Sequence, residues 1–254
     1  MKKLYDKNEI WFAVSWIIIY CVLSSIGDNL SSDIGILKII TLPILIFLSL
    51  ILYLFLKKND LIKKYGLCKP KVSNVRMFYY IPLMILITVN LWRGFIINYS
   101  LLETILYILS MLLVGFLEEM IFRGLLFNAM VKDGLTSAIV VSSLTFAIGH
   151  IVNLFNGAEL LPSILQVCYA FAIGYLFVII YYKTKSLLPC ILTHGVFNAL
   201  SVFANDVANT FQRRAISALF LVVVSGAYAL YITFRIKQSK VSQANTLDNY
   251  ELIH

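Results

Sequence analysis

Residues 101–130 read LLETILYILSMLLVGFLEEMIFRGLLFNAM, a long apolar run interrupted near its middle by Glu118, Glu119 and Arg123. A helix of about 20 apolar residues is long enough to cross a hydrocarbon core of about 30 Å. Each ionisable side chain at mid-membrane depth costs on the order of 2.5 to 3.5 kcal/mol, so such groups face partners inside a helical bundle. The run therefore predicts a membrane-spanning helix with a functional or structural polar cluster at its centre.

The rest of the chain has the same apolar character. Of its 254 residues, 60% are hydrophobic and 13% are charged, and the mean hydropathy is +0.86. Soluble domains have about 45 to 50% apolar and about 25% charged residues, so an ordinary soluble domain is excluded. Uncharged apolar stretches lie near residues 9–26, 39–56, 77–92, 104–130, 135–155, 162–182, 187–204 and 215–234. We predict an all-α, polytopic transmembrane bundle of about eight helices.

The basic residues are distributed unevenly between the two sides of these spans. A net charge of +8 would suggest a nucleic-acid partner in a soluble protein, but in a membrane protein it sets orientation. With a cytoplasmic N-terminus, 16 of the 21 basic residues fall inside: Lys2, Lys3, Lys7, Lys57, Lys58, Lys63, Lys64, Lys69, Lys71, Arg76, Lys132, Lys183, Lys185, Arg235, Lys237 and Lys240. We predict a multi-pass protein of the cell membrane with both termini cytoplasmic and no nucleic-acid partner.

The chain shows no linker, internal repeat or low-complexity tract. The first apolar run is longer than a typical signal-peptide core and lacks a clear cleavage site, so we interpret it as a retained helix rather than a cleaved signal. Residues 237–254 are polar and carry no further apolar period. We therefore predict a single transmembrane domain over residues 1–236, followed by a polar cytoplasmic tail over residues 237–254.

Glu119 and Arg123 are four positions apart, so they share a helix face and can form an ion pair. The arginine favours the ionised form of Glu119, which indicates a structural role for that carboxylate. Glu118 points about a quarter turn away and is free to act as a general base. The alternative interpretation is a structural ion pair within the bundle, with no catalytic function.

Two further spans carry histidines in the same kind of spacing. Phe146 and His150 in FAIGHIVN lie four positions apart, as do His194 and Asn198 in THGVFN. Singly, each histidine is equally explained by hydrogen bonding between helices. Together with the carboxylates, these groups could activate a water molecule and hold the oxyanion formed during amide hydrolysis. We expect them to share a polar cavity that opens toward the cytoplasm.

The motifs of other proteases are missing from the sequence. It contains no HExxH, no GxSxG and no pair of aspartates within apolar spans. These absences argue against zincin, α/β-hydrolase and aspartyl intramembrane protease chemistry.

The three motifs, in this order on three apolar spans, resemble the CAAX-protease and bacteriocin-processing family, also called the Abi family: Glu118-Glu119-x-x-x-Arg123, Phe146-x-x-x-His150 and His194-x-x-x-Asn198. The resemblance covers about residues 100–204. It implies an intramembrane endopeptidase, related to enzymes that remove the last three residues of prenylated CAAX proteins. Bacterial members are linked to peptide processing and bacteriocin self-immunity. The implied partners are a membrane-associated peptide or protein substrate and the lipid bilayer.

The resemblance also implies a role for each matched residue. Glu118 and His150 would activate water, and His194 and Asn198 would donate hydrogen bonds to the oxyanion. Glu119, Arg123 and Phe146 would support the site: the first two complete the first motif, and Phe146 packs against His150. We expect no required cofactor. The alternative is a zinc-dependent enzyme in which Glu118, His150 and His194 bind the metal.

Two functions outside proteolysis fit the same polar residues. Glutamate and histidine within a bundle can form the proton relay of a proton-coupled transporter. No duplication of broken helices is visible in the sequence, which argues mildly against that function. A non-catalytic membrane protein that binds a bacteriocin, in immunity, is the second alternative.

Overall fold

The computed structural model of the chain describes residues 1–155, 157–205 and 210–236. In these residues eight main helices form one bundle: α1 (Glu9–Ile34), α2 (Thr41–Lys58), α3 (Asn74–Trp92), α4 (Leu101–Met130), α5 (Leu135–Gly149), α6 (Leu160–Thr184), α7 (Leu188–Phe203) and α8 (Phe211–Arg235). All except α7 are long and apolar enough to cross a membrane, α5 together with the short turn that follows it. The predicted all-α polytopic fold is confirmed, whereas the predicted tail at 237–254 lies outside the described residues.

One end of the bundle gathers most of the basic residues, and we call it the basic end. Here the N-terminus of α1 meets the loop after α2, because Nζ of Lys64 lies 2.8 Å from Oε1 of Glu9. Lys132, just after α4, reaches the same carboxylate at 3.4 Å. The backbone N–H of Lys71 donates to the carbonyl of Thr184 at the end of α6. These contacts place the loop 59–73 and the α6–α7 turn at one end.

The other end of the bundle, which we call the opposite end, joins different segments. Lys38 and Asp28 form an ion pair at 2.7 Å where α1 passes into α2. The hydroxyls of Tyr107 on α4 and Ser201 on α7 lie 2.8 Å apart. The N–H of Leu37, between α1 and α2, also donates to Oε1 of Glu103 on α4 at 3.3 Å, so the C-terminal end of α1, the N-terminal end of α4 and the C-terminal end of α7 lie together.

Helix α7 is short because it begins inside the bundle. The turn before it is fully buried, with Ser186 and Leu187 at 0% exposure. The N–H of Leu187 donates to the carbonyl of Gly66 at 2.8 Å, which ties the turn beneath loop 59–73. Gly66 has φ +75°, and a Cβ there would lie 2.5 Å from the Tyr181 ring. His194, six residues into α7, is therefore already deep in the bundle.

The polar part of α4 departs from ordinary helix geometry. Residues Glu119–Phe127 wind as a π-helix, and all of them are buried. Short π-helical segments occur frequently at functional sites. Helices α1, α5 and α6 pack around this segment, so its charged residues face protein rather than lipid.

Candidate active site

The charged residues of the π-helical segment form a buried ion pair. Nη1 of Arg123 lies 3.0 Å from Oε1 of Glu119, and both side chains have 0% exposure. The ion pair offsets the free-energy cost of removing both charges from water, a cost that would otherwise be uncompensated for each group. The guanidinium carbon also lies 4.1 Å from the centre of the Phe146 ring and 5.8 Å from that of Phe177. Arg123 is thus held by one carboxylate and two aromatic rings.

His194 of α7 is oriented by the same carboxylate. Its Nδ1 lies 2.8 Å from Oε1 of Glu119, so that oxygen bridges the histidine and Arg123. An ionised carboxylate only accepts hydrogen bonds, so Nδ1 carries a proton. The other ring nitrogen, Nε2, lies 3.4 Å from Oε2 of Glu118. Glu119 therefore does more than neutralise the arginine, because it also fixes the imidazole beside Glu118.

Glu118 is held by a residue from a different helix. Its Oε1 accepts a hydrogen bond of 2.6 Å from the hydroxyl of Tyr20 on α1. Its Oε2 is buried and has no hydrogen-bond partner among the described residues. The two oxygens of this carboxylate are consequently in different environments.

His150 lies at the end of α5 and is oriented by a neighbouring amide. Its ring packs edge-on against Phe146, with centroids 5.1 Å apart, as the spacing predicts. Nε2 of Gln166 lies 3.3 Å from Nδ1 of His150, and the Gln166 oxygen accepts from Asn153 at 3.2 Å. In this network the Gln166 amide donates to Nδ1, so the proton of a neutral His150 sits on Nε2. His150 and Glu118 are not directly hydrogen-bonded.

A cavity of about 450 Å³ lies against these groups, and Glu118, His150 and Asn198 are part of its wall. A second space, of about 40 Å³, is lined by His150, His194 and Asn198. His150 and Asn198 border both spaces. The structure therefore brings the four residues with predicted catalytic roles to two adjoining hollows.

The larger cavity extends toward the opposite end of the bundle. Its wall follows α1 from Tyr20 to Asp28 and includes Lys38 and Ser201. The Asp28 side chain is 35% exposed, which marks the outer part of this wall. At the basic end, loop 59–73 covers the start of α7. The predicted cytoplasmic basic end and the predicted cytoplasmic opening of the cavity are therefore not compatible with each other, because the cavity extends toward the opposite end.

The zinc-site alternative gains no support from the arrangement of the possible ligands. Among the described residues, no group of three or more His, Cys, Asp or Glu side chains has a spacing suited to a metal ion. Nδ1 of His194 is engaged by Glu119, and its Nε2 lies 3.4 Å from Oε2 of Glu118, a separation that two ligands of one tetrahedral zinc ion also have. The three residues Glu118, His150 and His194 are therefore not grouped as a complete set of metal ligands, although Glu118 and His194 alone are close enough to share a metal ion.

The fold and the cavity define a multi-pass membrane protein with a polar site buried between its helices. Residues 99–200 match the family described as Type II CAAX prenyl endopeptidase Rce1-like, over 102 of the 254 residues. All three motifs lie within this segment, so the resemblance to the CAAX-protease family is confirmed. No curated protein matches the chain. The family match supports an intramembrane endopeptidase.

Two residues at the site were missed by sequence reasoning. Tyr20 contacts Glu118 but lies in an apolar run, IIIYCVLSS, where nothing distinguishes it from a packing residue. Gln166 contacts His150 and is an isolated amide in the apolar stretch SILQVCYA. An uncharged polar residue in a span often bonds to another helix, so Gln166 could have been found.

Proposed function

We propose that the protein hydrolyses a peptide bond in a membrane-associated peptide or protein, with Glu118 as the general base. One observation carries this proposal. Oε2 of Glu118 is a buried carboxylate oxygen with no hydrogen-bond partner among the described residues, and it lies 3.4 Å from an imidazole nitrogen of His194. Such an oxygen can take a proton from a water molecule.

The reaction then follows the usual course of amide hydrolysis. Glu118 takes a proton from water as the water oxygen bonds to the substrate carbonyl carbon. Hydrogen-bond donors stabilise the negative charge that develops on the carbonyl oxygen. The proton passes from Glu118 to the amide nitrogen, the carbon–nitrogen bond breaks, and the carboxyl and amine products leave.

The contacts support a division of roles that differs from the one implied by the family resemblance. His194 faces Glu118 and is fixed by Glu119, so we assign His194 to the activation of the water molecule together with Glu118. His150 presents an N–H at Nε2 and borders both hollows with Asn198, so we assign these two as oxyanion donors. We propose no metal in the reaction, since no group of three or more His, Cys, Asp or Glu side chains among the described residues is arranged to hold one.

The charge distribution supports an orientation in the cell membrane with the basic end in the cytoplasm. The cavity then receives its substrate from the non-cytoplasmic side. A peptide arriving at that surface, such as a bacteriocin in self-immunity, has direct access to this site. Apolar or lipid-modified peptides can also partition into the membrane leaflet on that non-cytoplasmic side.

Glu118→Gln is expected to stop peptide release. We compare bacterial cells expressing either form by mass spectrometry of small peptides in the medium. The wild type should release peptides that the variant releases at least about 100-fold more slowly, because the amide cannot accept the proton. Release by intact cells tests the orientation in the same experiment.

The matched control is Glu103→Gln on the same helix. Glu103 belongs to a capping box with Ser100 that the glutamine oxygen can preserve, and only the 3.3 Å hydrogen bond from the N–H of Leu37 is lost, so release should be unchanged. Equal peptide patterns from wild type and Glu118→Gln would reject the protease and favour a binding or transport protein. Release that stops with a zinc chelator and returns with zinc would reject the metal-free reaction. Products found only inside the cells would reject the orientation.

Glutamine substitutions distinguish the two histidines. His150→Gln keeps an N–H donor and should retain release within about tenfold of wild type, whereas His194→Gln loses the imidazole beside Glu118 and should fall about 100-fold. The measurement is the initial rate with equal amounts of inserted protein. If His150→Gln is the slower variant, the roles implied by the family resemblance, with His150 activating water and His194 donating to the oxyanion, are the correct ones.

A further inference from the structure

Tyr20 reaches the site from a helix outside the segment that matches the family. It lies on α1, 98 positions from Glu118 in sequence, and its hydroxyl donates to Oε1 of Glu118 at 2.6 Å. Its side chain is 7% exposed and belongs to the main hydrophobic core. Helix α1 packs against the π-helical segment of α4, which brings this hydroxyl to the carboxylate.

The hydrogen bond makes the two carboxylate oxygens unequal. Oε1 is occupied by the phenolic O–H, whereas Oε2 has no hydrogen-bond partner among the described residues. A hydrogen bond to an ionised acceptor is shorter and stronger than one between neutral groups, so it resists rotation of the carboxylate. Oε2 is thereby kept beside Nε2 of His194, at 3.4 Å.

We propose that Tyr20 is a positioning residue, which clamps Oε1 of Glu118 so that Oε2 is the oxygen that acts as base. This inference rests on the proposed function of Glu118. It makes α1 part of the site. The helix supplies a hydroxyl to the base, in addition to one wall of the cavity.

Tyr20→Phe tests the proposal, because phenylalanine keeps the ring and removes only the hydroxyl. The assay uses purified protein in lipid nanodiscs and a peptide whose cleavage requires Glu118. We expect kcat to fall about 10- to 100-fold, with KM within about twofold of wild type. The control is Tyr228→Phe, which removes a buried hydroxyl bonded to the carbonyl of Met77; neither residue lines the cavity. It should leave kcat unchanged.

Infrared difference spectra provide a readout that does not depend on cleavage. Tyr20→Phe should shift a carboxylate band in the wild-type background and leave the spectrum of Glu118→Gln unaltered. A normal kcat in Tyr20→Phe, with Glu118→Gln inactive, would overturn the positioning role while leaving the protease intact. No band shift would overturn the contact itself. If Glu118→Gln cleaves the peptide at the normal rate, both the proposed function and this inference are rejected.

Discussion

Arg123→Met is expected to lower the free energy of unfolding by about 3 to 5 kcal/mol and to remove nearly all activity. The substitution leaves Glu119 ionised or neutral in a site with 0% exposure and without its cation. Removing one partner of a buried ion pair costs about 3 to 5 kcal/mol, which is a large part of the stability of a typical domain. The aromatic contacts of the guanidinium with Phe146 and Phe177 are lost as well. The measurement is the free energy of unfolding by denaturing detergent in mixed micelles.

A double variant separates stability from catalysis. Glu119→Gln combined with Arg123→Met removes both charges, so most of the lost stability should return. Hydrolysis should remain low, because a neutral amide holds His194 less firmly than the carboxylate does. The control Arg76→Met changes an exposed arginine and should shift stability by no more than about 0.5 kcal/mol. If Arg123→Met is as mild as this control, the ion pair is not essential.

Gly115→Ala is expected to weaken both stability and activity by separating α4 from α7. A Cβ at Gly115 would lie 2.5 Å from the backbone nitrogen of Gly195 and 2.7 Å from its Cα. Backbone atoms cannot move aside as a side chain can, so the helices must part, at a cost of about 1 to 3 kcal/mol. The crossing lies three residues before Glu118 and next to His194. A displacement of about 1 Å there can reduce the rate about 100-fold.

The matched control for this crossing is Gly226→Ala on α8. A Cβ at Gly226 meets no heavy atom within 4 Å, so alanine is accommodated. Alanine also has the higher helix propensity, by about 1 kcal/mol, and stability should be unchanged or slightly raised. The measurements are the free energy of unfolding and the cleavage rate for both variants. Wild-type values for Gly115→Ala would show that the helices tolerate a wider crossing.

The contacts that sequence reasoning anticipated are local ones. The Glu119–Arg123 ion pair and the Phe146–His150 ring contact each join residues four positions apart on one helix. Helix periodicity fixes such neighbours whatever the rest of the fold does. The number and hydrophobicity of the spans were equally accessible, because crossing a membrane requires a minimum length of apolar helix.

The contacts that were missed join residues far apart in the chain. Glu119 meets His194 across 75 positions, and Tyr20 meets Glu118 across 98. An imidazole or a phenol in an apolar span can pair with any polar group at its depth, and depth depends on where each helix begins. Helix α7 begins inside the bundle because the buried turn before it is tied to Gly66, which no apolar pattern reveals.

The sequence by itself determined that this chain is a helical membrane bundle with carboxylates, imidazoles and an amide on three of its apolar helices. Hydrophobicity and helical spacing are local properties, so they can be read from consecutive residues. Only the tertiary structure decided which imidazole stands beside Glu118, which tyrosine holds that carboxylate, and toward which end the cavity extends. These features depend on how helices that are distant in sequence pack together, and on which end of the bundle is covered by its loops.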